Sequence, residues 1–86
     1  MRIISFTQDG FHEFVEWSEK DRAVSGKLKD LIKEIIRDPF KGKGKPEPLK
    51  GDLKGYWSRR INDEHRVIYE VGDNFILIIK CKGHYK

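Results

Sequence analysis

The stretch YWSRRINDEHRVIYEVGDNFILIIKCK (residues 56–82) predicts the centre of the fold. Its apolar side chains recur at about every second position, a spacing typical of half-buried β-strands. Two short polar segments, 62–64 and 72–74, divide the stretch into three strands at 56–62, 65–71 and 74–82. Because both connections are short enough for hairpin turns, we expect the three strands to lie antiparallel.

The residues before this stretch predict one more strand and two helices. Residues 2–6 read as a short strand, and Thr7 and Asp21 are the residue types that cap helix N-termini. The second helix should end at Asp38-Pro39, because the residue before proline avoids helical geometry. Apolar residues recur at helical spacing in both segments: Phe11, Phe14, Val15 and Trp17 in the first, and Val24, Leu28, Leu31, Ile32, Ile35 and Ile36 in the second.

The order β-α-α-β-β-β predicts an α+β fold in which two helices pack on one face of a mainly antiparallel sheet. The chain has 86 residues, a length that suits one domain spanning residues 1–86. Residues 39–54 are rich in Gly, Pro and Lys and are interpreted as a loop. Loops of that length in small domains are usually functional or disordered.

The charge distribution favours an anionic partner. The net charge is +4, and it divides into −1 over residues 1–36 and +5 over residues 37–86. Residues 41–60 alone hold seven Lys and Arg residues against two acids. A polyanion is the natural partner of such a patch, because phosphates attract these cations and release counterions on binding. A solvated surface without a partner is the alternative explanation.

Several classes of protein are disfavoured by what the sequence lacks. No apolar run approaches the ~20 residues needed to cross a membrane, and the N-terminus does not resemble a signal peptide. We therefore expect a cytoplasmic protein with no membrane partner. One cysteine, Cys81, cannot form an internal disulfide, and it is interpreted as a small buried strand residue. The three histidines lack metal-ligand spacing and no phosphate-binding glycine motif is present, so no metal and no cofactor are expected.

Alternation along the three strands separates two faces of the sheet. One set is almost wholly apolar and should face the helices: Trp57, Arg59, Ile61, Val67, Tyr69, Val71, Phe75, Leu77, Ile79 and Cys81. The other set mixes apolar and basic groups and suits a half-open groove: Tyr56, Ser58, Arg60, Arg66, Ile68, Glu70, Ile76, Ile78, Lys80, Lys82 and His84. A β-bulge in any strand would reverse this assignment within that strand.

The basic half of the chain holds the three kinds of group that RNA cleavage without a metal requires. These are a base for the ribose 2′-OH, an acid for the leaving 5′-oxygen, and cations for the phosphorane. Glu47 is the candidate base and His84 the candidate acid, and Lys50, Arg60 and Arg66 are the candidate cations. Pro46 and Pro48 stiffen the backbone around Glu47. The alternative is that Glu47 only balances lysines in a mobile linker.

Other polar and aromatic residues are weaker candidates. Tyr85 is placed to stack on a base or to bond a phosphate, unless it is a packing residue at the C-terminus. A structural or RNA-contacting role for His65 has as much support as a catalytic one. His12 is expected on the surface of the first helix, and Trp57 in the core.

Together these residues resemble the YoeB toxin family within the wider RelE-like group of bacterial toxins. The similarity runs over essentially the whole chain and is dense from 39 to 69. It rests on Pro39-Phe40, GKGKPEPLK (42–50), Leu53, Gly55, WSRRI (57–61), EHR (64–66), Tyr69 and His84-Tyr85. The chain departs from the family pattern at its end, where Lys86 follows the His-Tyr pair.

The resemblance implies the toxin of a type II toxin–antitoxin system with a microbial-ribonuclease-like fold. Such toxins are endoribonucleases that cut messenger RNA in the ribosomal A site and inhibit translation. It also implies a cognate YefM-like antitoxin and a homodimer. In this chain it makes Glu47 the general base, His84 the general acid and Arg66 the main phosphate-stabilising residue. Supporting or RNA-binding residues are Lys50, Arg60, Tyr85, Arg59 and His65.

Two other functions remain open from the residues alone. A non-catalytic RNA- or ribosome-binding module would inhibit translation by occupancy and would use the same basic groove. A small scaffold protein with an acidic protein partner would also explain the charge. That scaffold would leave the conjunction of Glu47, Arg66 and His84 unexplained.

Overall fold

A computed structural model describes residues 2–84, with Met1, Tyr85 and Lys86 outside the described part. Its elements in chain order are strand β1 (Ile3–Phe6), helix α1 (Gln8–Lys20), helix α2 (Arg22–Arg37), strand β2 (Glu47–Pro48), a 3-10 turn (Gly51–Leu53), and strands β3 (Tyr56–Arg60), β4 (Arg66–Val71) and β5 (Phe75–Lys80). The predicted α+β architecture is confirmed, with one strand more than the sequence predicts.

The two helices begin and end where the sequence predicts. The Thr7 hydroxyl accepts a hydrogen bond from the Gly10 N–H at 3.0 Å, and an Asp21 carboxylate oxygen accepts one from the Val24 N–H at 3.1 Å. Both bonds satisfy backbone donors that a helix N-terminus leaves free. Asp38 caps the C-terminus of α2, as its position before Pro39 predicts.

The sheet has the strand order β1-β5-β4-β3-β2. Strands β2 to β5 pair antiparallel in sequence order, and β1 pairs parallel with β5 at the far edge. The core lies between the sheet and the helices. Its buried members are Leu28, Leu31 and Ile35 from α2, with Ile61, Val67, Tyr69, Ile76, Ile78 and Cys81 from the sheet side.

The assignment of faces is right for β3 and β4 and wrong for most of β5. Ile76 and Ile78 are fully buried against the helices, whereas the sequence predicts Phe75, Leu77 and Ile79 at those positions. The cause is a register shift: Tyr69 pairs with Ile78, but its neighbour Ile68 pairs with Lys80. The extra residue returns Cys81 to the buried side. Strand β5 therefore follows the opposite alternation until this bulge.

Helix α1 lies over β5 and β1, near the edge of the sheet. Phe14 and Trp17 pack against the core as predicted, but Phe11 is 55 % exposed and meets the Phe6 ring edge-on. At Gly10 the helix touches the backbone of β5, where an added Cβ would lie 2.6 Å from the Ile78 carbonyl oxygen. Glycine is required here by this close approach.

Candidate active site

A cleft of about 530 Å³ opens on the sheet face that the helices leave uncovered. It is lined by Lys45, Glu47, Pro48, Leu49, Lys50, Ser58, Arg60, Arg66 and His84. The cleft thus gathers the candidate base, the candidate acid and the three candidate cations from four separate segments of the chain. His12, which the sequence predicts on the surface, is exposed on α1.

Glu47 reaches this cleft through a strand where the sequence predicts only a loop. Glu47 pairs with Ser58, and Pro48 pairs with Trp57, so β2 extends the sheet beyond β3. The Leu49 N–H also donates to the Tyr56 carbonyl at 2.9 Å. Directly opposed residues in antiparallel strands share a face, so Glu47 lies beside Ser58 on the open face. Proline suits β2 because its missing N–H is tolerated at a sheet edge.

Two arginines lie directly opposite each other on the cleft floor. Arg60 of β3 pairs with Arg66 of β4 in the register of the sheet. Like charges in this position repel each other, an arrangement that a bound anion would relieve. Arg60 also pairs with Asp63, whose side chain is 88 % exposed, and such pairs contribute little to stability. Arg66 Nη1 is oriented by the Asn62 carbonyl at 2.6 Å.

Arg66 and His84 are in direct contact. Arg66 Nη2 lies 3.2 Å from His84 Nε2, and because a guanidinium only donates, this histidine nitrogen accepts. His84 is brought here by the segment after β5, which crosses back over the start of β4. The Arg66 N–H donates to the Gly83 carbonyl at 2.9 Å.

His65 holds the same segment from the other side. Its Nδ1 accepts a hydrogen bond from the Gly83 N–H at 2.9 Å, and its ring meets the Trp17 ring edge-on at 4.7 Å. The Trp17 indole N–H in turn donates to the Cys81 carbonyl at 2.8 Å. These contacts favour the structural role for His65, because they position Gly83, the residue that precedes His84.

Arg59 does not lie in the cleft, and direct RNA contact by this residue conflicts with its placement. It is fully buried on the helix side of β3. Its side chain donates hydrogen bonds to three backbone carbonyls and one hydroxyl: those of Asp38, Lys41, Lys43 and Tyr69. Arg59 therefore organises the loop between α2 and β2 from beneath.

Tyr69 completes this buried network. Its hydroxyl donates to the Pro39 carbonyl at 2.7 Å while accepting from Arg59 Nε at 3.0 Å. Burial raises the pKa of the Tyr69 hydroxyl, so the proton used in the first bond is retained. The same face holds Cys81, where burial raises the pKa of the thiol to about 12.

Lys45 is a cleft residue that is absent from the candidates predicted by the sequence. It has a φ of +52°, in the left-handed region that side chains other than glycine rarely adopt. Its place among the lysines that flank Glu47 in the sequence is the signal that could have indicated it. Tyr85, the remaining candidate, falls outside the described residues.

Two further properties of the described residues bear on the site. No group of three or more His, Cys, Asp and Glu side chains within residues 2–84 is arranged to hold a metal ion. No helix of this part of the chain is long and apolar enough to span a membrane.

The fold and the cleft define a small α+β domain whose open sheet face carries a cation-rich groove with one carboxylate and one imidazole. Residues 6–85 match the model of a family described as the YoeB-like toxin of bacterial type II toxin–antitoxin systems. A protein named Toxin YoeB from Streptomyces coelicolor is 54 % identical over 82 residues, covering 95 % of this chain and 98 % of its own.

Two solved structures from Staphylococcus aureus are similar along the whole chain. The YoeB dimer is 44 % identical with a TM-score of 0.89, and the match covers 98 % of each chain. A YoeB–YefM complex is 42 % identical with a TM-score of 0.88, covering 99 % of each chain. The present chain therefore belongs to the YoeB-like toxin family of bacterial type II toxin–antitoxin systems, and the resemblance found in the sequence is confirmed.

Proposed function

We propose that this toxin is a ribosome-dependent endoribonuclease that cuts messenger RNA in the ribosomal A site without a metal ion. Residues 1–86 would act as one catalytic domain in the cytoplasm, where ribosomes translate. Inhibition of translation would follow from loss of the message. The observation that carries the proposal is that Glu47, Arg66 and His84 line one cleft although they are distant in sequence.

The chemistry requires attack by the ribose 2′-oxygen on the adjacent phosphorus. Glu47 would take the proton of the 2′-OH as the new P–O bond forms. The bond from phosphorus to the 5′-oxygen breaks, and His84 would protonate that leaving oxygen. The products are a 2′,3′-cyclic phosphate and a 5′-hydroxyl, and no other reactant is consumed.

Arg66 has two roles in this scheme: it contacts His84, and it stabilises the phosphate that reacts. In the protein alone, Arg66 Nη2 lies 3.2 Å from His84 Nε2. A phosphate bound between the two groups would accept a hydrogen bond from the Arg66 N–H and would lie within reach of the imidazole. Arg66 and Arg60 would then stabilise the extra charge of the phosphorane. Lys50 and Tyr85 would bind or orient the RNA.

The solved structures of similar proteins support a proposal for the protein partners of this chain. Because Staphylococcus aureus YoeB has been solved both as a dimer and in complex with YefM, we propose a homodimer and a YefM-like antitoxin for this chain. A basic cleft is a suitable target for an antitoxin segment that carries negative charge.

The decisive experiment is primer extension on a message stalled in purified ribosomes with its A site open. We expect a new cut within the A-site codon in the presence of the protein. The cut should persist when EDTA is added at levels that leave ribosomes intact. Glu47→Gln and His84→Ala should abolish it while leaving the thermal unfolding temperature unchanged, because both side chains are solvent-exposed.

Two outcomes would contradict the proposal. Cutting by both variants at the wild-type rate would remove the assigned base and acid. An intact message together with arrested translation would instead support inhibition by occupancy, in which Glu47 has no chemical role.

A further inference from the structure

A second cleft, of about 440 Å³, lies between α2 and the loop that precedes β2. Its lining includes Lys27 and Asp30 of α2 and Lys43, Gly44 and Lys45 of the loop, together with Arg60. Four cations against one carboxylate make this a strongly basic surface. It has no part in the proton transfers assigned to Glu47 and His84.

The lysines of the second cleft are available to a ligand. Among the described residues, Lys27, Lys43 and Lys45 form no ion pair within 4 Å, whereas Lys20 and Lys82 both pair with Glu16. Glu34 is near enough for Lys43 to help lower its pKa, but its ion pair is with Arg37. Unpaired cations around a concave surface raise the local concentration of anions.

The loop wall of this cleft is held in one conformation. The Arg60 N–H donates to the Gly44 carbonyl, and buried Arg59 donates to the Lys43 carbonyl at 3.0 Å. Gly44 has a φ of +85°, and a Cβ there would lie 2.8 Å from Leu31 Cδ2. The backbone of Lys43 and Lys45 is thereby positioned before any ligand arrives, which lowers the entropic cost of binding.

The two clefts lie next to each other. Lys45 and Arg60 line both of them, so these residues form their common border. An extended anionic chain with its reacting phosphate beside Arg66 can pass this border and enter the second cleft.

We propose that the second cleft binds the sugar–phosphate backbone of the same RNA strand, at two phosphates flanking the one that is cut. This inference rests on the proposed ribonuclease function. It assigns to Lys27 and Lys43 a role in holding the substrate. RNA is favoured over an acidic protein segment because the border residues also line the cleft where the phosphate would react.

The test measures binding of a 2′-O-methyl oligoribonucleotide of about twelve nucleotides, which cannot be cut because its 2′-oxygen carries no proton. Lys27→Gln combined with Lys43→Gln removes two charges from the cleft. Lys29→Gln combined with Lys33→Gln is the matched control, since these exposed lysines lie on the same helix but do not line the cleft. Both double variants have the same net charge and should unfold at the wild-type temperature.

Affinity is measured as a function of salt concentration. For single-stranded RNA, the slope of log K against log salt falls by about 0.7 for every phosphate that a protein cation no longer neutralises. We expect the slope for the cleft variant to be smaller by about 1.4, because two lysines are replaced. Its binding at low salt should be several-fold weaker, with the control close to wild type. A trinucleotide should bind both variants equally, because it does not extend beyond the first cleft.

Equal slopes for the cleft variant and the control would overturn the proposal. So would a loss of affinity for an acidic peptide without loss for RNA, which would assign the cleft to a protein partner. Failure of the ribonuclease function is detected separately, since it appears as uncut message in the ribosome experiment while the binding measurement remains interpretable.

Discussion

Arg59 and Arg60 are neighbours in β3, and they show how differently the two faces of the sheet use one residue type. Arg59 lies on the helix-covered face, is fully buried, and donates to backbone carbonyls of the loop. Arg60 lies on the open face, lines the cleft, and opposes another arginine. The covered face satisfies its cation internally, whereas the open face leaves cations for a ligand. Two successive residues of one strand therefore serve different purposes, Arg59 in stability and Arg60 in binding.

Replacing these two arginines in turn should reveal the largest difference in stability between the two faces. Arg59→Met leaves three carbonyls and the Tyr69 hydroxyl without their donor, at about 1–3 kcal/mol for each group that water cannot reach. We expect the free energy of unfolding, measured by urea denaturation, to fall by about 3–5 kcal/mol. Arg60→Met should change it by less than about 0.5 kcal/mol while weakening RNA binding. Equal stabilities for the two variants would refute this division between the faces.

Strand β5 offers the same comparison with apolar residues. Ile78 is fully buried and Leu77 only partly. Ile78→Ala should lower the free energy of unfolding by about 3 kcal/mol, because it leaves a cavity in the core. Leu77→Ala should cost about 1 kcal/mol. Urea denaturation of both variants checks this, and a larger loss for Leu77→Ala would restore the alternation expected from the sequence.

Two helix glycines allow the effect of one substitution on stability to be compared between a packed and an open surface. Gly10→Ala improves helix propensity but places its methyl group against the Ile78 carbonyl, so we expect a loss of about 1–3 kcal/mol. Gly26 of α2 has no atom within 4 Å of a Cβ at that position. Gly26→Ala should therefore stabilise the protein by about 0.5–1 kcal/mol. Thermal denaturation of both variants measures the two effects, and a shift of the same sign would contradict the close approach at Gly10.

The last effect concerns Cys81, is absent at neutral pH and appears only at alkaline pH. Burial raises the pKa of its thiol from an ordinary 9.0 to about 12, so above pH 9 the unfolded chain loses this proton more readily than the folded one. Cys81 therefore favours folding less as the pH rises from 9 to about 12. As the pH rises across this range, the wild type should therefore lose more unfolding free energy than Cys81→Ala, which denaturation of both proteins at each pH measures. A difference independent of pH would place the thiol in contact with water.

Much of the fold could be predicted because it depends on local signals. Thr7, Asp21 and Asp38-Pro39 mark helix ends through bonds or steric limits that involve only their near neighbours in sequence. The turns at 62–64 and 72–74 likewise separate the strands that the structure contains. The sequence does not predict strand β2, because Glu47 and Pro48 are too few to show a periodic pattern. They form a strand only through their pairing with the edge of β3.

The sequence by itself determined the α+β class, the helix boundaries, the excess of cations and the candidate residues Glu47, Arg66 and His84. Tertiary structure decided which residues share a face. The bulge after Ile78, the burial of Arg59 and the return of His84 to Arg66 depend on pairing between distant segments. Alternation along one strand records the face of each residue only while the register stays regular, and register is a property of two strands.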